Sequence, residues 1–108
     1  MELISVVVPC FNEEEAIPYF YEEIIKVADI MKNKHSVDSE FIFVDDGSSD
    51  STLSTIKEYA EQDKRVRYIS FTRNFGTEAA MFAGFEKSTG AYIAIMDVDL
   101  QDPPELLE

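Results

Sequence analysis

The chain of 108 residues has one cysteine, Cys10, one histidine, His35, and only 9 basic side chains against 22 acidic ones. Each shortage removes a class of answers. A single thiol excludes an internal disulfide and fits a reducing cytoplasm. Cys10 has no histidine close by in sequence, so it is not expected to act as a nucleophile. His35 is expected in a polar loop and is read as a surface residue. A formal charge of −13 repels nucleic acid, so no nucleic-acid partner is expected. No apolar run approaches the ~20 residues of a membrane span. The opening MELISVVVPC lacks the basic segment of a signal peptide and enters a strand at once. There is no internal repeat and no low-complexity linker.

What is present is a globular composition, 45% hydrophobic and 12% aromatic, in a length that suits one core. Four short apolar runs alternate with helical patterns. They are 3–8, stopped by Pro9; 41–44, stopped by Asp45-Asp46-Gly47; 66–71; and 91–96, stopped by Asp97. The first, second and fourth are apolar almost throughout, which predicts strands covered on both faces, whereas the third alternates and is expected nearer an edge. Between them, Ile17, Phe20, Ile24, Ala28 and Met31 recur at helical spacing, with Pro18 tolerable in the first turn. A second helix follows the potential caps Ser48, Ser49 and Asp50 and buries Leu53, Ile56 and Ala60. A third starts near Asn74 or Thr77, presents Ala80, Met81, Gly84 and Phe85 to the sheet, and breaks at Gly90. A last helix is expected after Asp102-Pro103-Pro104. This alternation predicts an α/β fold: a Rossmann-like open parallel sheet with helices on both faces and right-handed crossovers. Ligands of such sheets sit beyond the carboxyl ends of the strands, where strand order reverses.

The polar clusters fall at those ends. Asp97-Val98-Asp99 offers two hard carboxylate ligands for Mg²⁺ or Mn²⁺, ions that complete their shell with substrate phosphates; the same residues could instead form an Asp-rich turn before a helix. In Asp45-Asp46-Gly47-Ser48-Ser49-Asp50, an acidic side chain can accept hydrogen bonds from a base or ribose, Gly47 supplies a positive φ, and the rest are turn and cap residues. After the first strand, Phe11 can pack on a nucleobase, Glu13 can bond its edge or its ribose, and Asn12 is expected to cap the helix. Arg73, at the third strand end and beside a helix start, suits either an anionic phosphate or one of the many acids.

Taken in order, VVVPCFNEEE, FVDDGSSDST, RNFGTEAAMFAG and IMDVDLQDPPE resemble the motifs of the family 2 glycosyltransferases of GT-A fold. Within them the resemblance is to the polyprenyl-phosphate branch, which includes dolichol-phosphate mannose synthase and the bacterial undecaprenyl-phosphate glycosyltransferases. It runs from Ile4 to about Glu105. It implies nucleotide contacts at Pro9, Phe11 and Glu13, base-binding positions at Val44 and Asp46 with Asp45 shaping the loop, and a metal and diphosphate region at Asp97, Val98, Asp99 and Gln101. Asp97 and Asp99 would be the metal ligands, and the cofactor Mg²⁺ or Mn²⁺. The implied reaction moves a sugar from a UDP- or GDP-sugar to a polyprenyl phosphate with inversion; no catalytic base is assigned. Members of the family continue well past this length. The chain is therefore expected to be the donor-binding part of a larger catalytic domain, incomplete for transfer, whose parent works at the cytoplasmic face of a membrane. Phe11 stands where many members have tyrosine.

Two other readings stand beside this one. A receiver-like signalling domain wants its acidic pair after the first strand and a lone aspartate after the third, but these strands end in Pro-Cys-Phe-Asn-Glu and Thr-Arg-Asn. A non-catalytic fragment could instead self-associate into a homo-oligomer through an open sheet edge.

Overall fold

The structure is a computed structural model and describes residues 2–96 and 98. The expected last helix, together with Asp97, Asp99 and Gln101, lies outside the described residues. In chain order the elements are β1 (Glu2–Cys10), α1 (Ala16–His35), β2 (Val37–Asp45), α2 (Thr52–Gln62), β3 (Val66–Ser70), α3 (Thr77–Lys87) and β4 (Tyr92–Ile95).

The four strands make one parallel sheet in the order β3-β2-β1-β4. The chain therefore steps outward from β1 through β2 to β3, then α3 carries it back across to the far side of β1. Strand order reverses at β1, so the crevice between the carboxyl ends of β1 and β4 is the place where such sheets take ligands. The receiver arrangement, with β1 between β2 and β3, is excluded by this order.

Each face has its own helices. Val6, Val8, Phe41 and Phe43 point to the side where α1 brings Ile17, Phe20, Ile24 and Ala28 and α2 brings Ile56. Phe20 meets Phe43 edge to face, with ring centroids 6.1 Å apart. The α1 stripe is the one the spacing predicts, with Val27 added. On the other face Val7, Ile42 and Val44 meet Ala80 of α3. Small residues let α3 come close: a Cβ on Gly84 would stand 2.3 Å from Val7 Cγ1.

Four expectations are corrected. β4 is not covered on both faces; Tyr92, Ile93 and Ile95 are exposed. Among the described residues it is the end strand of the order, bonded to β1 alone, and α3 lies over β1 and β2. Phe85 is exposed, because Ala80 and Gly84 form the contact stripe of α3. Of the three α2 residues expected inside, only Ile56 is fully buried, with Thr52 beside it. His35 is on the surface as expected but ends α1 rather than lying in a loop. The expectation that β3 is an edge strand holds.

Candidate functional site

The first two strand-end loops are stitched together by side chains. Asn12 has φ 52° and does not cap α1. Its Oδ1 accepts the Ser49 backbone N–H at 2.9 Å, and its own N–H donates to Ser48 Oγ at 2.9 Å. Asparagine tolerates this left-handed conformation better than most residues. Next to it, the Glu13 N–H donates to Oγ1 of buried Thr52 at 2.8 Å. Asp50 Oδ1 accepts the Thr52 N–H at 2.9 Å, and Asp50 Oδ2 accepts the Glu14 N–H at 3.4 Å. Burial disfavours the charge on Asp50, but the Thr52 hydroxyl, which also donates to its Oδ1, and these backbone bonds outweigh it and hold its carboxyl below the usual carboxylate range.

The second loop also builds the third. Asp45 is buried and accepts the Ser48 N–H at 3.2 Å, the loop-shaping role implied by resemblance. Asp46 is 4% exposed. One of its oxygens accepts the Phe75 N–H at 2.7 Å and the other the Gly76 N–H at 3.0 Å, while Asn74 Nδ2 donates to its carbonyl at 3.3 Å. A carboxylate thus already occupies the start of α3, where the helix dipole favours negative charge. Gly47 has the expected positive φ of 72°, and a Cβ there would lie 2.2 Å from the Arg73 carbonyl carbon. Glycine is required twice over, by conformation and by contact.

Among the residues singled out in the sequence, Pro9, Phe11, Glu13 and Asp46 line one pocket of about 140 Å³ with Cys10 and Thr77. Phe11 is exposed and available for stacking. Arg73 is exposed, with its guanidinium carbon 4.6 Å from the Phe75 ring centroid, and Phe75 packs edge-on against Phe71. Val44 and Val98 do not join the pocket with their side chains. Val44 is buried against α3, and Val98 is buried in the core on the α1 face. Contact with a ligand at Val44 would be through main chain. Cys10 is buried, and burial together with the nearby charges of Glu13 and Asp45 pushes its thiol pKa far up, which leaves it inert as a nucleophile.

No group of three metal-ligating side chains exists among the described residues. The sequence's hard donors, Asp97 and Asp99, follow β4 directly. The topology brings β4 beside β1, and the Met96 N–H bonds the Val7 carbonyl at 3.0 Å, next to the strand end that carries Pro9 and Phe11. Oxygen donors of this kind fit a hard divalent cation, while the placement of Asp97 and Asp99 lies outside the described residues.

Thr52, Ser48 and Thr77 belong to this site and carry no signal in sequence spacing. The contacts of Ser48 with Asn12 and of Thr52 with Glu13 cross 36 and 39 positions, and Thr77 reaches the pocket from the start of α3.

The family model described as glycosyl transferase family 2 matches residues 5–108. The prophage bactoprenol glucosyl transferase homolog of Escherichia coli K12 is 49% identical over 104 residues, which are 96% of this chain and 33% of that protein. The undecaprenyl-phosphate 4-deoxy-4-formamido-L-arabinose transferase of Proteus mirabilis is 40% identical, over 94% of this chain and 30% of its own length. The chain thus spans about a third of the length of these relatives. Among solved structures, the mannosyltransferase PcManGT of Pyrobaculum calidifontis, in complex with GDP-Man and Mn²⁺, superposes with a TM-score of 0.73 at 26% identity, over 89% of this chain and 27% of that one. S. aureus TarS with UDP superposes with a TM-score of 0.74 at 24% identity, over 92% of this chain and 28% of that one, a likeness of fold.

Proposed function

The chain belongs to glycosyl transferase family 2, and on that premise we propose that it carries the donor-binding part of an inverting glycosyltransferase that moves a sugar from a UDP- or GDP-sugar to a polyprenyl phosphate. The observation that carries this reading is the pocket of Pro9, Phe11, Glu13 and Asp46 at the carboxyl ends of β1 and β2, beside the point where strand order reverses. Phe11 stacks on the base, and Glu13 bonds the base or ribose. Asp46 borders the base while its carboxylate fixes the loop that carries Arg73 toward the diphosphate. Val44 contributes main chain, and the stretch from Asp97 through Val98 to Gln101 borders the diphosphate.

Asp97 and Asp99 would hold a Mg²⁺ or Mn²⁺ ion. When bound, such an ion stabilises the charge that develops on the departing nucleoside diphosphate. The acceptor is inferred from the bactoprenol and undecaprenyl-phosphate relatives. A phosphate oxygen is already anionic and needs little help from a general base. No helix among the described residues is long and apolar enough to cross a membrane; a lipid-linked acceptor would place the whole protein at the cytoplasmic face of one.

Calorimetric titration with UDP and with GDP, each with and without Mn²⁺, tests the donor reading. One nucleotide is expected to bind at least about tenfold tighter with the metal, a difference of ~1.4 kcal/mol. Absence of binding to both with Mn²⁺ present would sink it.

Self-association remains a second reading, favoured by the exposed Tyr92, Ile93 and Ile95 on an end strand. Light scattering at high concentration should then show a dimer; a clean monomer removes the idea.

A further inference from the structure

At the end of the sheet away from the pocket, a buried carboxylate is built into the turn that starts β4. Glu40 is 7% exposed and lies on the α3 face, in register with Ser5. One of its oxygens accepts from Arg67 Nη1 at 3.0 Å. The other accepts from Ser5 Oγ, from the Thr89 N–H at 2.8 Å and from Thr89 Oγ1 at 3.1 Å. Ser5 Oγ in turn accepts the Gly90 N–H at 2.8 Å, and Arg67 also donates to the Lys87 carbonyl at 3.2 Å. Strands β1, β2 and β3 thus all grip residues 87–90, the link from α3 to β4.

β4 needs such a grip. It has four residues, Tyr-Ile-Ala-Ile, and among the described residues pairs with β1 only. Its sequence is apolar on both faces, so a slip of one residue would exchange one apolar set for another. A pattern of that kind specifies register weakly. A one-residue slip would also carry everything after the strand by about 3.3 Å, enough to ruin a metal site. Gly90 closes the lock: a Cβ there would come within 2.6 Å of Ser5 Oγ and 2.7 Å of the Leu3 carbonyl oxygen.

We infer that Glu40, through Ser5, Arg67 and Thr89, is a positioning residue that sets the register of β4, the strand that leads in sequence to Asp97 and Asp99. It touches no substrate and acts a strand's length away. Its importance to the site rests on the reading that Asp97 and Asp99 hold the metal ion, whereas its effect on β4 does not.

Amide hydrogen exchange on the full chain separates these. The Ala91 N–H, bonded to the Leu3 carbonyl, and the Met96 N–H, bonded to the Val7 carbonyl, report the two ends of β4. The Asp46 N–H to the Cys10 carbonyl and the Phe71 N–H to the Asp45 carbonyl report the rest of the sheet. Both Glu40 oxygens accept, so Glu40→Gln must turn an N–H onto a donor. It should speed exchange at Ala91 and Met96 about tenfold or more relative to Asp46 and Phe71. Thr89→Val removes one donor from an exposed residue and should shift the same two amides in the same direction by less; it decides the matter if Glu40→Gln does not fold. Uniform acceleration, no acceleration, or acceleration at Ala91 without Met96 would overturn the inference. In parallel, the Mn²⁺-dependent gain in UDP or GDP affinity should shrink in Glu40→Gln with metal-free affinity unchanged, and an undiminished gain would also overturn it. If the unsubstituted chain shows no such gain, the donor reading fails and the exchange pattern alone decides the role of Glu40.

Discussion

Asp46 shows how one side chain can serve a site without being spent on the ligand. Its two oxygens are the acceptors for the Phe75 and Gly76 N–H groups. Asp46→Ala leaves both donors without that partner at the start of α3. Hydrogen bonds to an ionised group contribute ~1.5–3 kcal/mol each and do not add fully, so the expected loss is roughly 2–4 kcal/mol. Asp46→Asn keeps one acceptor oxygen but turns its NH2 onto the other donor, so it should lose a comparable amount. Urea unfolding of the three chains checks this. A loss below about 0.5 kcal/mol in Asp46→Ala would show that water satisfies the loop as well as the carboxylate does. An acidic pair after an apolar run announces a strand-end loop, but nothing in the sequence says that its second member reaches 29 and 30 residues ahead.

At the scale of elements, legibility followed the range of the interactions. The α1 stripe, the strand character of β1 and β2 and the positive φ of Gly47 are set by local periodicity and local sterics, and the sequence shows them. The exposure of β4 is not local: it depends on α3 lying over β1 and β2 and on strand order. Asn12 reads as a helix cap by composition, yet its partners belong to the next βα loop. Glu40 is the extreme case, a single acid in an apolar strand whose partners come from β1, β3 and the turn before β4. It also sets an acid response. Burial pushes its pKa up, but the hydrogen bonds from Ser5, Thr89 and Arg67 together outweigh burial and hold it below the ordinary 4.5. The folded state therefore favours the ionised form. That stability is present above about pH 4.5 and is lost as pH falls through the lower folded value. Asp63, bonded by Arg65 and Tyr21, is lowered against its own burial and adds to the same slope. Urea midpoints between neutral pH and about pH 3 should fall for the unsubstituted chain. They should fall less steeply for Glu40→Gln, and the two curves should converge in acid. Parallel curves would mean that Glu40 titrates alike in the folded and unfolded chains.

For the whole molecule the dominant fact is charge. With −13 overall, the long-range field opposes any nucleoside diphosphate that approaches without a cation. Glu13 and Asp46 border the pocket itself, and Arg73 is the cation on the neighbouring loop. Salt screens such a field, with a Debye length of ~30 Å at 0.01 M and ~8 Å at 0.15 M. Metal-free affinity for UDP or GDP should therefore rise several-fold on adding salt over that range, opposite in sign to a binder that neutralises phosphate with a basic surface. Mn²⁺ changes the sum locally, since an ion bound between the carboxylates and the diphosphate meets the ligand charge at contact distance. Affinity measured with saturating Mn²⁺ should depend on salt more weakly than affinity without it. Calorimetry in a salt series, once with Mn²⁺ and once with EDTA, gives both slopes. A metal-free affinity that falls with salt would mean that Arg73 and its surroundings outweigh the acidic surface, and that the ion is not what reconciles this chain with an anionic donor.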